Sequence, residues 1–139
     1  RWISQQEAVD ILEAEDRRGH VHHAFFKDAM LGRFYALCNC CACCCGALHA
    51  HQGGTPMLAS SGYVAQIDAD LCMSCAECVD NCQFGALSMG ALHSEVDFEK
   101  CMGCGVCVDK CQVEAIALKR DESKGAPLEI LALMEKAAG

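Results

Sequence analysis

The sequence predicts an α+β chain in which two short hairpins and two short helices, related by a pseudo-twofold axis, follow an N-terminal helix plus a cysteine-rich module. Two observations carry this. Fourteen of the 139 residues are cysteine, a density that in a short chain signals a disulfide scaffold or metal sites. Eight of the fourteen fall in an internal repeat, because a shift of 29 residues lays Tyr63–Met89 over Leu92–Leu118 with ten identities. The matched pairs are Asp68/Asp97, Cys72/Cys101, Met73/Met102, Cys75/Cys104, Cys78/Cys107, Val79/Val108, Asp80/Asp109, Cys82/Cys111, Gln83/Gln112 and Ala86/Ala115. Cysteine usage divides the chain into residues 1–60, 61–120 and 121–139, with six, eight and no cysteines.

In chain order, Ser4-Gln5-Gln6-Glu7 is a capping box, and Ala8, Ile11, Leu12 and Glu15 continue at helical spacing until Gly19 stops them. His20–Phe26 and Arg33–Leu37 read as strands or as a loop with buried aromatics. Gly53-Gly54-Thr55-Pro56 and Ser60-Ser61-Gly62 are linker punctuation. Each repeat copy then reads as a strand (Tyr63–Asp68; Leu92–Asp97), a cysteine loop, a brief helix around the third and fourth cysteines, and a second strand (Ala86–Met89; Ala115–Leu118). The two copies bury one another's apolar faces, which neither does alone. Pro127 opens a helical C-terminal tail whose apolar face is Leu128, Ile130, Leu131 and Met134. Both terminal helices are expected to pack on the domain.

A net charge of −8 and a pI near 5.1 argue against a nucleic-acid backbone or an anionic lipid surface as partner. The repeat zone is the most acidic, with nine acidic and four basic residues, and a basic protein surface suits it. No apolar run approaches the ~18 residues of a membrane helix, and no basic n-region precedes a hydrophobic stretch. No membrane span and a cytoplasmic location are therefore expected. Arg at position 1 leaves open a removed leader or a longer polypeptide.

Cys72-x2-Cys75-x2-Cys78-x3-Cys82 and Cys101-x2-Cys104-x2-Cys107-x3-Cys111 have the spacing that iron–sulfur cubanes require. Three thiolates two residues apart in a tight loop converge on one cube, and the fourth cysteine, carried away on a helix, reaches the opposite cube. The expected sets are Cys72, Cys75, Cys78 and Cys111 for one cluster, and Cys101, Cys104, Cys107 and Cys82 for the other. Small residues at Ser74, Ala76, Gly103 and Gly105 let main-chain N–H groups approach the sulfurs. Zinc ribbons pair C-x2-C with a distant C-x2-C, and disulfides suit oxidising compartments, so both fit this spacing less well.

On these residues, 63–118 resemble a bacterial-type ferredoxin with two 4Fe-4S clusters. The resemblance implies a ferredoxin-like two-cluster fold for 61–120, with antiparallel hairpins covering two short helices, and one-electron transfer at low potential. One feature departs from the family. Proline usually follows the fourth cysteine, whereas this chain has Gln83 and Gln112, and glutamine restores a main-chain donor near a cluster sulfur and relaxes the loop.

Cys38-Asn39-Cys40-Cys41-Ala42-Cys43-Cys44-Cys45-Gly46 crowds six thiols into eight residues. With Gly19-His20-Val21-His22, this run resembles a module found ahead of ferredoxin domains in some anaerobe redox proteins, which implies a further metal or iron–sulfur site. The candidate ligands are Cys38, Cys40, Cys41, Cys43, Cys44, Cys45 and His22. A third iron–sulfur cluster, a zinc site, and a redox-active thiol pair or persulfide site all remain open. His20, His23, His49 and His51 read as packing or surface, and Met73 and Met102 as cluster-shielding core. No substrate pocket, phosphate-binding glycine loop or nucleophile triad is visible. The expected role is that of an electron-transfer component of an oxidoreductase, partnered by a flavoprotein or an iron–sulfur oxidoreductase. Sulfur or disulfide chemistry at the crowded site, or a zinc-stabilised docking module, are the alternatives.

Overall fold

The computed structural model describes residues 1–26 and 34–129. The expected apolar face of the C-terminal tail beyond Glu129, and Arg33 of the second N-terminal strand, lie outside the described residues.

The first helix, α1, spans Gln5–Arg17. Ser4 caps it, its Oγ accepting from the Glu7 N–H at 3.1 Å, while the Glu7 carboxylate pairs with Arg1 rather than reaching back to the cap. Gly19 ends the helix at φ +79°, a left-handed conformation that glycine adopts without strain. None of its residues is buried, and Ile11 stays 43% exposed. What α1 contributes is its C-terminal end, where Lys110 Nζ donates to the Arg17 carbonyl at 2.6 Å, a favourable place for a cation beside unpaired helix carbonyls.

Strand β1 (Val21–Phe26) pairs antiparallel with β2 (Phe34–Cys40), with Val21 opposite Cys40, His22 opposite Asn39 and His23 opposite Cys38. β2 runs three residues past the expected end at Leu37, so alternation along the strand decides where its cysteines point. The seven-residue helix α2 (Gly46–Gln52) follows, and its Leu48 is 0% exposed. This helix is not expected from the sequence, because it is too short for periodicity to register and carries a single large apolar residue.

The repeat supplies β3 (Tyr63–Ile67), α3 (Glu77–Asp80), β4 (Leu87–Met89), β5 (Ser94–Val96), α4 (Val106–Asp109) and β6 (Ile116–Arg120). β3 pairs with β6 and β4 with β5, both antiparallel. Each two-stranded sheet therefore takes one strand from each copy. Within the repeat, β4–β5 is a hairpin along the chain, and the expected second hairpin is the first strand of the domain closed on its last. A lone two-stranded sheet is marginal, and this exchange ties both copies into one core of Val64, Ala65, Phe84, Ala86, Leu87, Val106 and Ile116 with Cys78, Cys101 and Cys107. Val21 and Leu48 of the N-terminal segment join the same core. Among the described residues, no helix is long and apolar enough to cross a membrane.

Candidate metal centres

The two cysteine loops are built alike. Asp68 Oδ1 accepts from the Asp70 N–H at 3.0 Å and Asp97 Oδ1 from the Glu99 N–H at 3.0 Å, turns that aspartate forms readily. The next bonds, Cys72 N–H to the Asp68 carbonyl at 3.1 Å and Cys101 N–H to the Asp97 carbonyl at 3.0 Å, launch each loop. The middle cysteine of each loop is flanked by left-handed residues: Ser74 (φ 56°) and Ala76 (φ 64°) around Cys75, Gly103 (φ 63°) and Gly105 (φ 90°) around Cys104. Gly103 has no alternative, since a Cβ there would lie 2.2 Å from the Tyr63 carbonyl oxygen.

After each short helix, the fourth cysteine receives a main-chain donor. Ala86 N–H points to Cys82 Sγ at 3.3 Å and Ala115 N–H to Cys111 Sγ at 3.2 Å. Ala65 N–H, from β3, points to Cys101 Sγ at 3.4 Å. No N–H of Gln83 or Gln112 reaches a sulfur among the described residues, so the donors expected at those positions are supplied by the alanines instead.

Two cavities open between these elements. One is lined by Cys72, Cys75, Cys78 and Cys111 together with Met73 and Val113. The other is lined by Cys101, Cys104, Cys107 and Cys82 together with Phe84 and Leu118. All eight are free thiols. Burial pushes the Cys107 thiol up to about 12, the neighbouring thiols adding to it, and burial also raises Cys78. N–H groups of Ser94 and Ser74 hold Cys72 low. Buried thiols of this kind lose their protons to solvent when a metal cation takes the protons' place.

The spacing of the sulfurs tests what that cation can be. A tetrahedral zinc ion with Zn–S near 2.3 Å holds its sulfurs ~3.8 Å apart. Among the described residues, only Cys41, Cys43 and Cys44 bring three ligand atoms within 4.8 Å of one another. The eight repeat cysteines form no such group among the described residues. Residues 65–88 and 94–117 each match the 4Fe-4S binding domain family. These are two 4Fe-4S sites. The matched 4Fe-4S stretches do not extend to the six crowded cysteines, and no curated protein matches the chain.

The crowded cysteines divide. Cys41 and Cys43 are joined as a disulfide, with Cys44 Sγ 3.9 Å from Cys41 Sγ and 3.6 Å from Cys43 Sγ. Cys40 and Cys45 instead pack against the core. Burial, with Cys45 beside it, pushes the Cys40 thiol up to about 12, whereas the Leu48 N–H lowers Cys45. Cys38 shares a hairpin face with Cys40, opposite His23. His22 lies on the other face, its Nδ1 2.8 Å from Asn39 Oδ1, and is not brought to the Cys41–Cys44 group.

His23 and His51, expected as packing or surface residues, do pack. Both stand edge-on to Phe84, with ring centroids 6.5 and 6.0 Å away, and the Nδ1 of each is buried without a hydrogen-bond partner. No local pattern marks them, since their proximity depends on where the hairpin and α2 land on the repeat.

Proposed function

We propose that this chain is a low-potential electron carrier acting as a subunit or domain of a larger redox complex. Cys72, Cys75, Cys78 and Cys111 hold one 4Fe-4S cluster and Cys101, Cys104, Cys107 and Cys82 the other, with a third metal or iron–sulfur site among Cys38–Cys45. The observation that carries this is the composition of the two cavities, each lined by three thiols of one repeat copy and the fourth thiol of the other. A 4Fe-4S cluster bound there takes up and releases one electron at a time. The protein's part is to keep water from the cavity with Phe84, Val106 and Ile116, and to aim the N–H groups of Ala65, Ala86 and Ala115 at the sulfurs. Those donors favour the added electron, and a net charge of −8 opposes it.

The N-terminal segment covers the side of the repeat that follows Cys82. Among the described residues the opposite side is uncovered, with Cys75 and Val113 exposed, Met73 63% exposed and Leu92 84% exposed. A flavoprotein or iron–sulfur oxidoreductase docks there. Metal analysis of the anoxically purified full chain tests the whole: ~8 irons are expected from the two repeat sites, with metal in excess that the joint replacement of Cys40 and Cys41 by serine removes. An iron content unaffected by Cys72→Ser and Cys101→Ser would refute the cluster assignment.

A second reading has its own observation in the Cys41–Cys43 disulfide with Cys44 beside it. Reduction of that bond to two thiols consumes two electrons and two protons, and a pair of one-electron sites matches the count. Substrate-dependent reoxidation, with no metal lost on replacing Cys41, would favour it.

A further inference from the structure

One residue ties the crowded loop to the repeat. The side-chain Oε1 of Gln83 accepts from the Ala42 N–H at 2.7 Å, and its Nε2 donates to the Gly19 carbonyl at 2.8 Å. Its main-chain carbonyl accepts from Gln52 Nε2 at 2.8 Å. A single half-buried glutamine thus meets the end of α1, the cysteine loop and α2. Ala42 lies between Cys41 and Cys43, and Gln83 follows Cys82, so one hydrogen bond separates the two cysteine groups. Gly19 fits this junction closely, since a Cβ there would lie 2.8 Å from Asn81 Oδ1. Phe84, the next residue, is clasped by His23 and His51. The repeat-mate Gln112 is exposed and makes no side-chain hydrogen bond among the described residues.

We propose that Gln83 is the positioning residue that holds the Cys41–Cys44 sulfurs against the cavity of Cys82, so that this group communicates with that cavity and not with the cavity of Cys111. The proposal rests on the reading of those sulfurs as a metal or redox site, and adds which of the two cavities the site serves and through which side chain. It also accounts for a residue that departs from the proline expected after the fourth cysteine, since proline has no side-chain donor or acceptor to offer Gly19 and Ala42.

The test uses the full chain loaded anoxically, with Cys82→Ser and Cys111→Ser assigning the two cluster signals by electron paramagnetic resonance. Cys43→Ser, made in the native protein, is expected to shift the midpoint potential of the signal that Cys82→Ser abolishes and to leave the other unmoved. Gln83→Ala should leave iron content unchanged, erase that shift, and speed hydrogen exchange at the Ala42 N–H about tenfold, the scale of losing a bond of ~1.4 kcal/mol. Gln83→Glu keeps the acceptor for Ala42 and loses the donor to Gly19, and so should restore both the shift and the protection. Gln112→Ala should change none of these. A Cys43→Ser shift that persists in Gln83→Ala, or that falls on the Cys111 signal, overturns the proposal while the third site stands. No change in metal content or in either potential on Cys43→Ser removes the third site and the proposal with it.

Discussion

The segments Cys82-Gln83-Phe84 and Cys111-Gln112-Val113 occupy equivalent places in the repeat and have opposite surroundings. Gln83 is half-buried under three hydrogen bonds to the N-terminal segment and Phe84 is 7% exposed, whereas Gln112 is exposed and Val113 is 37% exposed. The cysteine and the glutamine are identical in the two copies, so motif identity does not decide their roles. The third residue differs, and the large aromatic stands where the hairpin and α2 settle. The repeat supplies two like ends, and the N-terminal module makes them unequal, covering one and leaving the other exposed among the described residues.

The largest expected effect probes what the two ends share. Cys82→Ser should damage the site built on Cys101, Cys104 and Cys107, and Cys111→Ser the site built on Cys72, Cys75 and Cys78, each costing up to about four of ~8 irons. Selective loss at the loop carrying the mutation would break the crossed arrangement. Next, Phe84→Ala should destabilise the holo protein by about 3–5 kcal/mol, the range for emptying a buried phenylalanine, against under ~1 kcal/mol for Val113→Ala. Anoxic denaturant melts compare them, and equal losses would mean that the covered end is no better packed than the open one.

A smaller contrast separates the glutamines. Gln83→Pro should cost about 1–2 kcal/mol, the sum of two ordinary side-chain hydrogen bonds, and Gln112→Pro should stay within ~0.5 kcal/mol; thermal melts of the two proteins decide it. The smallest effect is one of pH. Burial first, then the charges of His22 and His51, hold His23 below the ordinary imidazole value of 6.5. Its neutral form is thus the one the packed module accepts. The stability this contributes is fully present above pH ~6.5 and is lost as pH falls through the depressed folded value. The protection of the Ala42 N–H, its exchange taken relative to the intrinsic amide rate at each pH because that rate itself slows toward acid, should accordingly weaken from pH 7 to 5.5, and less so in His23→Phe.

The donors to the last sulfurs, expected at Gln83 and Gln112, come instead from Ala86 and Ala115. The cysteine spacing of the repeat and the small residues Ser74, Ala76, Gly103 and Gly105, which carry its left-handed turns, were legible. These are local interactions within a few residues of a cysteine, and their spacing is written in the chain. The exchange of strands between copies was not legible, because β3 meets β6 across 49 to 57 residues and a five-residue strand does not name its partner. The same limit hid α2, the far side on which His22 stands, and the reason for Gln83, whose partners Gly19 and Ala42 lie 64 and 41 residues away.

By itself, then, the sequence determined the two 4Fe-4S motifs and their loops, the capped N-terminal helix and the density of thiols at Cys38–Cys45, all products of short-range backbone geometry and side-chain chemistry. Only the tertiary structure decided how those six thiols divide, with Cys40 and Cys45 packed against the core and Cys41, Cys43 and Cys44 drawn together, and which end of the repeat they lie against. That choice rests on contacts between distant segments, where one aromatic side chain and one amide with two complementary partners distinguish ends that the motif alone makes equal.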